Sequence, residues 1–395
     1  MPAQRLRMGR PVAFGLQRVF DIAQVEVFDT IAAAEPVWRM LEQYGAWSTP
    51  FQRFDFLNAW QNSIGAAEGS SPFIIIASNA DRRPLVLLPL VVERANGLQT
   101  LRFMGGKHAT FNMMVADPAY AARMTEQDLA TMFDAVRDRG VDLLAFERQP
   151  EQWHGIANPM MMLPTQASVN ECPLLRIAEN SEPADRISNS FRRRLRGKER
   201  KLQALPGYRH YIARTDSEIE RLLGTFFRIK PIRMAQQKLP DVFAEPGAAD
   251  FIRDACFARL SPEKRAIEIH ALESDDDVLA IFAGVADGHR FSMMFNTYTL
   301  SDSAKYSPGL ILLRNVIDHY AEAGYTSIDL GMGNDEYKRL FCKDFEQIRD
   351  SFIPLSALGK LGAIAQSSVA HTKRAIKQNS MLADVVQKIR STLRR

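Results

Sequence analysis

The sequence predicts an α/β protein with mixed sheets, built from two similar units. Stretches in which apolar residues alternate with polar ones predict strands, and stretches in which they recur every three or four positions predict helices. The order strand, two helices, three strands, helix and strand occurs clearly once within the 395 residues and approximately a second time. A duplicated α/β unit is therefore the predicted architecture.

The first unit is expected over residues 23–165, after an N-terminal arm of residues 1–22. The apolar runs PFIIIA and PLVLLPLVV predict buried strands, and TEQDLATMFDAVRDRG predicts an amphipathic helix that ends at a glycine. Residues 166–187 are the predicted linker, because prolines and the lack of a clear period mark the chain just before and within this range.

The second unit is expected over residues 188–356. The runs RAIEIHALES, DVLAIFAGVAD and HRFSMMFNTYTL predict three antiparallel strands, and SPGLILLRNVIDHYAEAG predicts a helix. YTSIDLG then predicts a strand, DEYKRLFCKDF a short helix, and EQIRDSFIPL the last strand of this unit. Residues 357–395 are predicted to form a basic amphipathic C-terminal helix.

Composition restricts the class of protein and its compartment. The longest apolar runs are too short to span a bilayer, and the N-terminal cations are not followed by the apolar core of a secretory signal. Cys172, Cys256 and Cys342 are far apart and lack Cys-x-x-Cys spacing, which favours a reducing compartment and no metal site. A cytoplasmic protein is therefore expected.

Positive charge is concentrated in two segments. Residues 188–205 contain seven Lys and Arg against one Glu, and residues 355–395 contain eight against one Asp. The run FRRRLRGKERKL is either a solvated helix face or a contact for an anionic ligand, to which Arg192 and Arg193 are the candidate contributors. Nucleic acid is disfavoured, because no aromatic platform, zinc finger or helix-turn-helix accompanies these cations.

The C-terminal segment has the pattern of a helix that lies on anionic lipid, at the inner face of the membrane. Its apolar residues recur at helical spacing: Leu382, Val385, Val386, Ile389 and Leu393. The alternative is a helix packed on the body of the protein with a solvated charged face.

The segment Ser307-Pro308-Gly309 is expected to begin a helix. Serine is a preferred N-cap, proline fits the first helical turn, and glycine allows close approach to the backbone. The free N–H groups of Gly309, Leu310 and Ile311 would then form an anion site suited to a pyrophosphate. Alternatively, Ser-Pro-Gly only caps a helix of the core.

Two further segments contain candidate chemical groups. In GGKHATFN, His108 is the best candidate for a general base, and Lys107 and Asn112 are candidates for substrate binding; the alternative is a polar loop with a structural histidine. In IDLGMGNDEYK, a buried Asp329 needs a partner or a raised pKa. It either belongs to a catalytic cleft or ties down the glycine turn beside a solvated Lys338.

The order of these motifs resembles the GNAT acyltransferase superfamily, in particular its tandem branch with CelD-like and FemAB-like proteins. The resemblance covers about residues 23–355 and is most specific at YSPG, the following helix, and DLGMGNDEYK. One departure is that Ser-Pro-Gly stands where the family commonly has an Arg/Gln-x-x-Gly-x-Gly/Ala pyrophosphate loop.

The resemblance implies an acyl-CoA-dependent N-acyltransferase without a metal, using acetyl-CoA or a longer acyl-CoA. It implies that Asp329, Tyr337 and Lys338 line the active cleft. It also implies that the strand with Asn296 and Tyr298, and the nearby Tyr306, flank the acyl donor.

The expected acceptor is an amine of an envelope component, either a sphingoid-type lipid or an amino sugar of a polysaccharide such as cellulose or an exopolysaccharide. It would bind between the two units. The alternatives are a FemAB-like transfer of an amino acid from charged tRNA, and a non-catalytic scaffold of a polysaccharide synthase.

Overall fold

The computed structural model describes residues 21–333 and 335–378. Most of the predicted arm and the apolar residues 382–393 of the predicted basic helix lie outside this part. The first half contains, in chain order, β1 (Gln24–Phe28), α1 (Ile31–Gln43), α2 (Phe54–Trp60), β2 (Ser71–Ser78), β3 (Pro84–Ala95), β4 (Leu98–Phe103), β5 (Val115–Ala116), α3 (Pro118–Ala121), α4 (Glu126–Asp134), β6 (Leu143–Pro150), β7 (Gln152–Trp153), β8 (Ile156–Ala157) and β9 (Gln166–Ala167).

The second half repeats much of this order. Its elements are β10 (Cys172–Arg176), α5 (Pro183–Arg186), α6 (Asn189–Leu202), β11 (Arg209–Ile212), α7 (Asp216–Gln236), α8 (Ala248–Phe257), β12 (Glu268–Glu273), β13 (Val278–Ala286), β14 (Arg290–Tyr298), α9 (Pro308–Glu322), β15 (Ser327–Asp329), β16 (Asp344–Glu346), β17 (Ile348–Pro354) and α10 (Ala357–Gln378).

The helices begin where the sequence supplies capping side chains. Thr215 and Glu218 form a reciprocal capping box at the start of α7, and Thr125 and Asp128 form one at α4. Each pair satisfies backbone N–H groups that a helix leaves free in its first turn. Local sequence therefore fixes these boundaries without help from the rest of the fold.

Two mixed sheets form the body of the protein. The strand order is β1-β2-β3-β4-β6-β17-β9 in the first sheet, with β5 on β3, and β11-β12-β13-β14-β15-β10-β16 in the second. Each sheet has one parallel pair at its centre, β4 with β6 and β14 with β15, among antiparallel neighbours. The predicted α/β class with mixed sheets is thus confirmed.

The two halves exchange strands. β17 comes from the end of the second half but pairs with β6 in the first sheet, with Phe352 opposite Ala145. β10, from the predicted linker, pairs with both β15 and β16 in the second sheet. The expectation that residues 348–354 close the second unit is therefore wrong, because periodicity reveals a strand but does not identify its partner.

One hydrophobic cluster contains buried residues of both halves. At the contact between the halves, the rings of Phe56 and Phe251 meet edge to face with centroids 5.2 Å apart. The Arg290 guanidinium lies 4.4 Å from the ring centroid of Trp153, and His154 pairs with Asp287 at 3.1 Å. Continuous apolar packing and exchanged strands together join the two sheets into one folding unit.

We predict that the halves do not fold alone. Cutting the chain into fragments 1–187 and 188–395 would separate β17 from the first sheet and β10 from the second. Both strands contribute buried residues in the intact protein, Leu174 of β10 and Ser351 of β17, so each fragment would lose an interior strand of its sheet. Each fragment alone is expected to lack a cooperative urea transition, and co-expression is expected to restore a complex that unfolds like the intact chain. Two fragments that each unfold cooperatively by circular dichroism would contradict this.

Candidate active site

A cleft opens where the central parallel strands of the second sheet diverge. β14 and β15 pair only from Arg290 to Ser292 and from Ser327 to Asp329, although β14 continues to Tyr298. After Asp329 the chain turns at Gly331, which has φ +68° and comes so close to β14 that an added Cβ would lie 2.9 Å from the Met293 carbonyl oxygen. Only glycine combines this φ with this approach. The edge of β14 after Ser292 is left without a strand partner on this side.

Asp329 lies at the point of divergence and is fully buried. Its Oδ2 accepts a hydrogen bond from Ser292 Oγ at 2.5 Å, and its Oδ1 accepts from Gly331 N at 3.1 Å and Cys172 Sγ at 3.5 Å. Burial raises the pKa of this carboxyl to about 6, although the charge of Arg290 and these hydrogen bonds act in the opposite direction.

These contacts decide between the two interpretations of Asp329. Both oxygens are occupied by donors and neither reaches solvent, so the side chain holds the glycine turn and is poorly placed to take a proton from a substrate. Cys172 comes from the exchanged strand β10, which the sequence could not place beside Asp329.

Lys338 supports the same turn and is only 2% exposed, so the alternative of a solvated lysine is wrong. Its Nζ donates to the carbonyl oxygens of Gly331, Met332 and Gly333 at 3.2, 2.9 and 3.2 Å. It also pairs with Asp335 at 3.3 Å. With its donors used in this way, Lys338 positions the turn and does not face a substrate.

Asn296 and Tyr337 contact each other beside the open edge of β14. Asn296 Nδ2 donates to Tyr337 Oη at 3.1 Å, and this hydroxyl lies 3.7 Å from Met293 Sδ. Burial raises the pKa of Tyr337 above its usual value, so the hydroxyl keeps its proton near neutral pH. Lys230 of α7 reaches the same place and donates to the Asn296 carbonyl oxygen at 3.0 Å. Burial lowers the pKa of Lys230. This lysine was not among the site residues predicted from the sequence.

Tyr298 is the last residue of β14, and Tyr306 lies just before Ser307 at the start of α9. The Arg233 guanidinium is stacked 3.7 Å from the Tyr298 ring centroid, and Lys305 lies 5.3 Å from that of Tyr306. A Cβ added at Gly309 would lie 3.7 Å from Tyr298 Cβ, an ordinary contact. Tyr298 is thus beside the helix start but is covered by a cation on one face.

The start of α9 differs from the predicted anion site. Ser307 is in the left-handed region at φ +57° and its side chain makes no cap hydrogen bond. The N–H groups of Leu310 and Ile311 donate to the Ser307 carbonyl at 3.1 and 3.2 Å, so the expectation that they are free is wrong. Gly309 N–H has no partner within the described residues, and Lys198 Nζ donates to Ser307 Oγ at 2.7 Å. An ammonium therefore reinforces the positive end of this helix.

The basic helix α6 packs against α9. Arg192 is 5% exposed and makes a bidentate pair with Asp318 at 2.7 and 2.8 Å, while Arg314 pairs with Glu199 at 2.7 Å. The expectation that Arg192 binds substrate is therefore wrong, because its guanidinium is used inside the fold. Arg193 is exposed.

Sequence reasoning also missed Lys198, although a signal was present. Phe191, Leu195 and Leu202 are buried on one face of α6, and residue 198 falls on this same face at spacings of three, four and seven. A lysine within an apolar stripe indicates an ammonium directed at a partner, unlike the lysines of the solvated face.

His108 lies in a 3-10 helix of the first half, between the two units. Its Nδ1 accepts a hydrogen bond from Trp60 Nε1 at 3.1 Å, and its ring centroid lies 6.2 Å from that of Phe251. Burial, with a smaller effect of Lys107, lowers the His108 pKa to about 4. The neutral ring then carries its proton on Nε2 and has no free acceptor nitrogen, so this geometry does not favour the expected role as a general base.

A cavity of about 230 Å³ lies beside His108, where β4 and β6 diverge in the first sheet. Most of its charged groups are paired, since Arg102 binds Glu68 and Glu93 and Lys107 binds Glu245 of the second half.

Two other side chains of this cavity have acceptor atoms without a hydrogen-bond partner in the described part of the chain. The Glu147 carboxylate has no hydrogen bond or ion pair within the described residues, and Asn112 Oδ1 is buried without a hydrogen bond. Asn112 Nδ2 donates to the carbonyl oxygens of Gly106 and Glu147, both at 3.2 Å, which fixes the amide. The Glu147 side chain is exposed to solvent, and its partial desolvation in the cavity, with the nearby Asp350 carboxylate, raises its pKa. The cavity therefore presents the Glu147 carboxylate to a ligand, whereas Asn112 Oδ1 lies below the surface.

Comparisons with known proteins agree with this geometry. Residues 189–339 match the family model of the GNAT acetyltransferase domain. FemX has a similar fold, with a TM-score of 0.54 and 9% identity over 83% of this chain and 97% of that one. So has the C-terminal domain (DUF2156) of an Agrobacterium fabrum protein assigned as a lysylphosphatidylglycerol synthetase, with 0.50 and 11% over 86% and 97%. No curated protein matches the sequence.

The fold is thus that of a mixed α/β protein with two mixed sheets. Residues 189–339 are similar to the GNAT acetyltransferase domain, and the diverging strands β14 and β15 lie within this matched range. The resemblance drawn from YSPG and DLGMGNDEYK is confirmed. No cluster of His, Cys, Asp or Glu in residues 21–333 and 335–378 could hold a metal ion.

We predict that Asp329 makes stability depend on pH. Its folded pKa is raised from 3.8 to about 6, so the folded protein binds this proton more tightly than the unfolded chain. The free energy of unfolding should therefore fall as pH rises through this range, by up to about 3 kcal/mol. Asp329→Asn should remove this part of the pH dependence in urea denaturation series, whereas exposed Asp302→Asn should keep it. An unchanged slope in Asp329→Asn would show that its carboxyl titrates normally.

Proposed function

We propose that this protein is an N-acyltransferase that transfers an acyl group from an acyl-CoA-type thioester to an amine. The observation that supports this most directly is the unpaired edge of β14 inside the GNAT domain. Consecutive residues of a strand direct their N–H groups to opposite edges of the strand. In β14 from Met293 to Tyr298, alternate N–H groups therefore face β13 and the open edge where β15 no longer pairs. An extended donor can bind there through backbone hydrogen bonds.

The anionic end of the donor is assigned to the start of α9. Gly309 N–H and the positive end of the helix attract phosphate, and the Lys198 ammonium adds a full charge beside them. Lys198 thus adds a positive charge near the place where the family commonly has an arginine or glutamine, and it offers a reason why Ser-Pro-Gly suffices in this chain.

The reaction needs no covalent enzyme intermediate. The neutral amine nitrogen attacks the thioester carbonyl carbon, a C–N bond forms, and the C–S bond breaks to release a thiolate. N–H groups on the open edge of β14 stabilise the negative oxygen that develops. Tyr337, whose hydroxyl stays protonated, is placed to donate a proton to sulfur, and Lys230 adds positive charge beside it.

The amine acceptor is assigned to the cavity beside His108. An ammonium needs acceptors, and the exposed Glu147 carboxylate has no hydrogen bond or ion pair within the described residues. The ion pair of Lys107 with Glu245 crosses between the halves at the rim of this cavity, in agreement with an acceptor that binds between the units. The proton released by the amine passes to Glu147 or to water, because His108 and Asp329 have no free acceptor atom.

An envelope component is the proposed acceptor, either a sphingoid-type lipid amine or an amino sugar of a polysaccharide. The Agrobacterium fabrum neighbour carries a name that links it to an aminoacylated lipid, and this supports an acceptor in the envelope. The site of action would be the cytoplasmic face of the membrane.

Aminoacyl transfer from charged tRNA is the second candidate, because FemX shares the fold across most of both chains. A thioester-cleavage assay separates the possibilities. Release of free CoA that depends on an added amine supports the first proposal. Product formation that requires charged tRNA supports the second, and no turnover with either supports a scaffold.

We predict that Lys198→Gln weakens donor binding about tenfold or more, because one ammonium-phosphate contact is lost. Lys201→Gln, an exposed change on the same helix, is the matched control and should bind acetyl-CoA like the wild type. Isothermal titration with acetyl-CoA measures both. Equal affinities for the two variants would refute the placement of the phosphate at α9.

We predict that Glu147→Gln raises KM for the amine about tenfold or more and leaves KM for the thioester unchanged. Glu68→Gln serves as the control, since Glu68 lines the same cavity but is already paired with Arg102. Steady-state kinetics with the amine varied at saturating donor distinguish them. A change in the donor KM alone would move the acceptor elsewhere.

A further inference from the structure

The helix α10 carries its small residues inward and its large aliphatic residues outward. It packs on the first sheet, where a Cβ added at Gly359 would lie 1.8 Å from the Asp142 carbonyl oxygen and one at Gly362 would lie 2.9 Å from Leu98 Cδ2. Ala363 and Ala370 are buried on the same side. The inner face therefore fits tightly because it lacks bulk, and the apolar bulk of the helix is left on the outer face.

The outer face of α10 and the residues just before it contain a concentration of the exposed large hydrophobic residues of the described chain. Five of the thirteen large hydrophobic residues that are exposed lie between residues 355 and 369: Leu355 (46%), Leu358 (43%), Leu361 (66%), Ile364 (64%) and Val369 (51%). Leu358, Leu361 and Ile364 follow one another at a spacing of three, so they line one side of the helix. A contiguous patch of this kind marks a binding surface.

The charged side chains of α10 itself are all cations, and the Asp142 carboxylate lies only at its start, bonded to Ser356. Residues 357–378 contain no Asp or Glu, and Lys360, Lys373, Arg374 and Lys377 lie among them. The chain continues for seventeen residues beyond the described part, with four further Lys and Arg against one Asp. Aliphatic residues flanked by cations alone match a surface that is apolar inside and anionic at its rim.

We propose that the outer face of α10 docks the protein on an anionic membrane surface. Leu358, Leu361, Ile364 and Val369 enter the boundary between headgroups and acyl chains, and the flanking cations contact the headgroups. A membrane fits better than an acidic protein partner because α10 itself has no carboxylate. Complementary charges of both signs would be needed to fix its orientation on a structured protein surface.

The helix lies on the membrane and does not cross it. None of the helices among residues 21–333 and 335–378 is both long enough and apolar enough to span a bilayer. This surface does not depend on the acyltransferase proposal, although the positive charge of Lys373 also acts on the Glu147 carboxylate. Its apolar contacts lie in α10, whereas the apolar contacts expected from the sequence lie at residues 382–393, outside the described residues.

Vesicle flotation of the full-length protein tests the proposal. Wild-type protein should float with vesicles that contain phosphatidylglycerol, bind phosphatidylcholine vesicles weakly, and lose binding as salt is raised. The double variant Leu361→Ser, Ile364→Ser should lower the partition coefficient at least tenfold, because each buried aliphatic side chain contributes about 1.5–3 kcal/mol and about 1.4 kcal/mol is tenfold.

Controls separate this effect from misfolding and from self-association. Leu239→Ser removes an equally exposed leucine (52%) outside α10 and should float like the wild type. The charge variant Lys360→Glu, Lys373→Glu should lose binding to phosphatidylglycerol vesicles and keep the weak binding to phosphatidylcholine vesicles. Wild-type flotation of the Leu361→Ser, Ile364→Ser variant would overturn the proposal. So would a wild-type dimer that this variant converts to a monomer in light scattering, since the patch would then cover a second copy.

Discussion

Exchange of strands between the two halves is the constraint on which the rest of the structure depends. β17 completes the first sheet beside β6, and β10 completes the second between β15 and β16. Because β10 brings Cys172 against Asp329, the exchanged strand closes the back of the cleft in which the parallel pair diverges. The return of the chain through β17 also delivers α10 onto the first sheet, which positions its outward aliphatic face. The cleft and the exposed patch therefore both follow from the exchange.

Burial changes what each charged group near the cleft can do. Asp329 and Lys338 are both inaccessible and both hydrogen-bonded to the glycine turn, so their hydrogen bonds stabilise the backbone conformation of this turn. Groups with remaining capacity lie elsewhere: Lys198 at the start of α9, Lys230 at the edge of β14, and Glu147 in the cavity of the first half. The chemistry proposed for this protein rests on these accessible groups, and the motif residues keep them in place.

The two sheets use the same geometry for different purposes. In both, a parallel pair diverges at the centre, but the opening in the first sheet is lined by three carboxylates against two cations that are already paired, and the opening in the second lies beside ammonium groups. Opposite charge preferences suit an amine and an anionic donor. His108, predicted as the base, instead joins the halves through Trp60 and Phe251, since its ring is neutral and its acceptor nitrogen is occupied.

The sequence by itself determined the local elements: capping boxes at Thr125 and Thr215, the alternation that defines the strands, and the motifs at Ser307 and Asp329 that identify the GNAT domain. It also contained a signal for Lys198, through its place on an apolar stripe. Tertiary structure alone decided that Arg192 and Lys338 are consumed inside the fold, that β10 and β17 change sheets, and that α10 turns its leucines outward. The physical reason is that burial, and the partners of Arg192 and Asp329, depend on residues more than 100 positions apart, whereas periodicity and capping act within a few residues.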